Sequence, residues 1–181
     1  MRAPKALAIA IGAVALAACG ASSPSGVSPA SWVRSVCGAV GPFRQDVVSR
    51  SSTLDLATFK NAAQSKRALE QFLEAVQADA TSALHKLRGA GTPSVANGKA
   101  IGAAVIDAFA RVQGTMRGAV AQARALPTSS PAALRSAARA LGLEVRSSLS
   151  SFPSLSSRAL RSPQIDQAAG KEPACKSIST G

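Results

Sequence analysis

The chain has 181 residues and a formal net charge of +12, with 21 basic against 9 acidic side chains. That length supports one domain with a real core, and basicity of this degree points to nucleic acid, to an anionic membrane or wall polymer, or to a solvated surface. Aromatic residues are only 3 % of the chain and tyrosine is absent, which leaves almost nothing for bases to stack on and argues against a nucleic-acid partner.

The N-terminus is a charged start (Arg2, Lys5) followed by an apolar Ala/Leu/Ile/Val run from Ala6 to Leu16. The run is short of the roughly 20 residues that a spanning helix needs. It ends in Leu16-Ala17-Ala18-Cys19 and then Gly20, where a secretory signal would offer its peptidase small residues. This pattern resembles the lipobox of bacterial lipoproteins. The resemblance implies that residues 1–18 are a signal peptide removed just before Cys19, and that the Cys19 thiol carries a diacylglycerol. Two acyl chains anchor stably where one binds marginally, since each buried methylene contributes about 0.8 kcal/mol. The expected address is the outer face of the cytoplasmic membrane, and the membrane is the first expected partner.

Removal of residues 1–18 leaves a charge of +10. Residues 19–27, rich in Ser, Gly and Pro, read as a flexible tether with a reach of about 15–18 Å. Residues 28–181 read as one helical domain. Ser28-Pro29 is a helix start, with a hydroxyl cap and proline in the first turn. Trp32, Val33, Val36, Cys37 and Val40 recur at helical spacing, and Phe43, Val47 and Val48 resume it beyond Gly41-Pro42. A kink, not an end, is expected there.

A second helix is predicted from Thr53–Asp55 to Gly89 or Gly91, with Leu69, Phe72, Leu73, Val76, Ala80, Ala83, Leu84 and Leu87 on one face. Lys66 and Arg67 can each pair with Glu70. The third covers about Ala96 to Leu126, with Ile101, Val105, Phe109, Val112, Met116, Val120 and Ala123 on its stripe. Gly114 and Gly118 are expected to admit a closely packed neighbour. Ser130-Pro131 starts a fourth, which carries Leu134, Leu141, Val145 and Leu149 and ends before Pro153. Ser162-Pro163 starts a short last helix through Gly170. No strand pattern appears. The predicted fold is all-α: a four-helix up-down bundle with a kinked first helix and a short C-terminal helix.

With Cys19 assigned to lipid, Cys37 and Cys175 remain as an even pair outside the reducing cytoplasm, and a disulfide between them is expected. It would close the bundle from N- to C-terminus and hold the tail Lys171–Gly181 to it. Zinc on two thiolates plus His85 is the rival, but no Cys-x2-Cys spacing supports it; no metal or other cofactor is expected. Catalysis needs a nucleophile, a base and an orienting group. There is one histidine and no Gly-x-Ser-x-Gly elbow, and Glu70 and Glu74 sit beside Lys66 and Arg67 on a polar face. An enzyme is not expected.

The lipobox, Ser31-Trp32-Val33-Arg34-Ser35-Val36-Cys37 and Glu172-Pro173-Ala174-Cys175 together resemble a loose group of small Ala-rich secreted proteins and lipoproteins of high-GC Gram-positive bacteria. The resemblance implies an architecture and an address but no activity. The leading expectation is a non-enzymatic binding or structural module of the cell envelope with an unknown protein partner. A carrier of lipid or another apolar ligand is one alternative. Electrostatic docking on anionic lipid or envelope polymer is another, through Arg-rich segments within 108–181, where ten basic residues face three acidic ones.

Overall fold

Capping side chains at Ser28, Asn61 and Ser130 mark where three of the helices begin. In the computed structural model, which describes residues 26–54, 61–150 and 162–179, six helices succeed one another: α1 (Pro29–Thr53), α2 (Ala62–Gly89), α3 (Gly98–Arg124), α4 (Pro131–Ser150), α5 (Pro163–Lys171) and α6 (Pro173–Ser179). The fold is all-helical. Ser28 caps α1 by accepting a hydrogen bond from the Ser31 amide at 3.2 Å, and Ser130 does the same for α4 through the Ala133 amide at 3.1 Å. Helix α1 runs on through Pro42, as the resumed apolar spacing predicts.

Three features differ from the sequence-based expectation. The second helix does not start at Thr53. Ser51, Ser52 and Thr53 turn their hydroxyls back onto the carbonyls of Val48, Ser49 and Arg50 and so complete the last turn of α1, while α2 starts at Asn61, whose side chain accepts from the Gln64 amide at 2.9 Å. Hydroxyl and amide side chains serve either end of a helix, so composition alone could not assign them.

The expected C-terminal tail contains a sixth helix. Glu172 precedes proline and takes an extended conformation, ψ 115°, which ends α5 as the pre-proline clash requires; its carboxylate then meets the Ala174 amide at 3.4 Å and α6 begins. Gly114 and Gly118 are exposed, and a Cβ built on either meets nothing within 4 Å. They admit no close neighbour.

The antiparallel pair α2–α3 forms the spine. Helix α1 lies along α2, α4 lies mainly on α3 and touches α2, and α5 and α6 both pack on α1. Two apolar clusters result. One joins Trp32, Val33, Cys37 and Ala39 of α1 to Leu87, Val95, Ile101, Val105 and Cys175. The other joins Leu69 and Leu73 to Ala119, Val120, Ala123 and Leu141. Between them Leu84 is 2 % exposed and Ala80 fully buried. Each large aliphatic side chain removed from water stabilises the fold by about 1.5–3 kcal/mol. Phe43 and Phe109 meet edge-on with ring centroids 5.7 Å apart, bridging α1 and α3 across the spine.

Candidate functional site

The most elaborately built region is the end of the spine where α2 turns into α3. Val27, the residue just before α1, is laid parallel to Pro93. Its amide donates to the Thr92 carbonyl at 2.8 Å, and its carbonyl accepts from the Ser94 amide at 2.8 Å. The Trp32 indole Nε1 donates to the Gly91 carbonyl at 3.1 Å, which satisfies the one polar group of a side chain only 5 % exposed. Pro93 is fully buried.

Two glycines make this clasp possible. Gly91 turns the chain with φ +75°, a region that favours glycine. Gly98 lies so close to Pro93 that a Cβ there would fall on the Pro93 carbonyl oxygen. Residues 26 and 27, which the sequence assigns to a loose tether, are therefore fixed at this end of the domain. The remainder of the tether and Cys19 itself lie outside the described residues.

A second connection closes the same end. Cys37 and Cys175 form a disulfide with sulfurs 2.00 Å apart, joining α1 to α6 across a sequence separation of 138. Both residues are buried, at 9 % and 7 % exposure. Beside them Arg34 Nε donates to Glu172 Oε2 at 3.2 Å, and Ile165, Ala168, Ala169 and Ala174 pack onto the α1 cluster. The C-terminal helices are thus held by a covalent bond, an ion pair and a small apolar contact.

The remaining candidates are scattered. His85 is exposed on the last turns of α2, and the sulfurs that would have joined it in a metal site are bonded to each other. Glu70 pairs with Lys66 at 3.8 Å, and Lys66 also donates to the Arg124 carbonyl at 2.7 Å, closing the C-terminus of α3. Glu74 accepts from Arg124 at 2.6 Å. Each of these carboxylates has a cation of its own: Glu74 ties α2 to α3, while Glu70 pairs along α2. Asp79 Oδ2 lies 3.5 Å from Arg50 Nε without a hydrogen bond, an ion pair between α1 and α2.

A cleft of about 110 Å³ between α3 and α4 is lined by Thr115, Gly118, Gln122, Leu141, Glu144 and Val145, against about 300–1,000 Å³ for ordinary ligand pockets. Gln122 bonds Glu144 across it at 2.8 Å. Two open troughs flank the N-terminal half of α2: one of about 410 Å³ along Gln64, Arg67, Ala68 and Gln71, and one of about 280 Å³ between α2 and the end of α1, lined by Arg50, Thr53, Leu54, Ala68, Gln71 and Phe72. Among the described residues no three of His, Cys, Asp or Glu converge, and no helix is long and apolar enough to cross a membrane.

The chain matches no protein-family model, no curated protein and no solved structure.

Sequence reasoning placed Trp32, Cys37 and Cys175 but missed the clasp. Its signal was present in Gly91-Thr92-Pro93 and Asn97-Gly98, a loop with two glycines and a proline that is more elaborate than a helix hairpin needs.

Proposed function

We propose that this chain is a membrane-anchored extracytoplasmic lipoprotein, acylated on Cys19, whose helical domain is a non-enzymatic binding or structural module of the cell envelope. The observation that carries this reading is the pairing of Cys37 with Cys175. Disulfides persist in oxidising compartments and are rare in the cytosol, so the bond agrees with an N-terminus read as an export signal. It also leaves Cys19 as the one cysteine outside that bond, the position that the lipobox pattern marks for lipid.

Helices α1–α4 serve in this reading as an up-down four-helix frame, with α5 and α6 as a stapled flank. The carboxylates that sequence spacing singled out are engaged in ion pairs between or along helices, which supports a structural use. The direct test is the intact mass of the protein extracted from membranes of the producing cell. A chain beginning at Cys19 and carrying a diacylglycerol supports the anchor; a chain retaining residues 1–18, or cut elsewhere with a free Cys19 thiol, refutes it.

A further inference from the structure

We infer that the α2–α3 loop end is the face this domain lays on an anionic phospholipid bilayer, an inference that rests on the anchored reading above. Two independent observations converge on this end. The first is the clasp: because Val27 is bonded on both sides to the loop, the chain leading to Cys19 leaves from here. Six residues separate Cys19 from Gly26, and the seven Cα–Cα steps between them span at most about 25 Å when fully extended. An acylated Cys19 therefore holds this end near the lipid whatever path the intervening residues take.

The second observation is charge. Between Ala80 and Ile106 the sequence contains no acidic residue, and none occurs between Gly26 and Gln45. The spine acids nearest the loop are Asp79 and Asp107, each about 14–15 Å along its helix from the loop end. At the end itself Lys86, Arg88 and Lys99 are exposed. On the flank, Arg34 and Lys171 are exposed; the acids there are Glu172, already engaged by Arg34, and Asp166 in the first turn of α5. Anionic headgroups attract such a cluster within a Debye length of the surface.

The Arg-rich segments singled out from sequence are less suited. Arg124 is committed to Glu74. Leu141 of α4 packs beside Ala119, about 30 Å along α3 from the loop, and Glu70, Glu74 and Glu144 share that half of the molecule. Among the described residues, docking charge and the start of the tether lie together at the α2–α3 loop end.

The test uses the protein extracted from membranes with its native N-terminus and reconstituted into vesicles of phosphatidylcholine, alone or mixed with phosphatidylglycerol. Acetylation rates of individual lysines are read by mass spectrometry. Lys86, Lys99 and Lys171 are expected to be shielded on the anionic vesicles and not on the neutral ones, with Lys66 at the far half unchanged. Each basic residue near the surface shifts the docked population about fivefold. The variant Lys86→Gln/Arg88→Gln/Lys99→Gln should therefore lose the shielding of Lys171, and Arg135→Gln/Arg139→Gln/Arg146→Gln should keep it.

Equal shielding of Lys66, no difference between the two vesicle types, or loss in the α4 variant alone would overturn the docking face. The intact mass reads the anchor separately. An acylated protein with unshielded lysines refutes the docking face and keeps the anchor, whereas an unacylated protein with shielded lysines does the reverse.

Discussion

Removing the Cys37–Cys175 bond with the double variant Cys37→Ala/Cys175→Ala should destabilise the domain severely. A cross-link spanning 138 residues restricts the unfolded chain by about 5 kcal/mol in the loop-entropy model, with measured losses for native disulfides of about 2–5 kcal/mol. Among the described side chains of the C-terminal helices, Cys175 is buried and Ile165, Ala168, Ala169 and Ala174 pack on the core only partly buried, and the Arg34–Glu172 pair is exposed on the arginine side. Such a pair contributes at most about 1 kcal/mol.

Urea unfolding followed by the fluorescence of Trp32, the one tryptophan of the chain, reports on the α1 cluster directly. With a slope of about 2 kcal/mol per molar urea, a loss of about 3–4 kcal/mol moves the midpoint down by about 1.5–2 M. Amide exchange should rise most across α5 and α6, ahead of the α2–α3 spine. A midpoint shift below about 0.3 M, or exchange that rises equally in α3, would refute the view that the bond is what keeps these helices on α1.

Other substitutions probe the clasp and the core. Gly98→Ala should cost about 1–3 kcal/mol although alanine is the better helix former, because its Cβ would meet the Pro93 backbone; Gly114→Ala, with open space around it, should stabilise by about 0.5–1 kcal/mol. Thermal melts of both variants decide the matter, and equal signs would contradict the close approach at Gly98. Trp32→Phe leaves the Gly91 carbonyl without its indole donor and should cost about 1–3 kcal/mol by circular dichroism melts, a neutral outcome counting against the clasp. Leu84→Ala, at a side chain 2 % exposed between the two clusters, should lose about 2–5 kcal/mol in urea; a loss under 1 kcal/mol would mean the spine is not where the core lies.

Helix existence was legible because the apolar stripes of α2 and α3 are long and regular, and Leu69, Leu73, Val76, Leu84, Leu87 and Ile101 are all buried as their spacing predicts. The disulfide was legible from cysteine arithmetic once Cys19 was set aside. What escaped depends on partners distant in sequence. Whether Thr53 opens a helix or closes one is decided by which carbonyl its hydroxyl reaches, and Gly114 and Gly118 look like a packing seam although no group comes within 4 Å of a Cβ built on either. Val27 belongs to the domain only because a loop some 65 residues later offers it a donor and an acceptor. Charge proximity is hidden for the same reason: counting along the chain singles out α3 and α4, while the fold also gathers Lys86, Arg88 and Lys99 at the α2–α3 loop end.

The most direct measurement is the intact mass of the protein taken from cell membranes without reduction. A domain anchored through Cys19 and stapled through Cys37 and Cys175 predicts a chain starting at residue 19, heavier by a diacylglycerol and lighter by the two hydrogens of one disulfide. A chain that retains residues 1–18, or that carries three free thiols, would contradict both the anchor and the oxidising address.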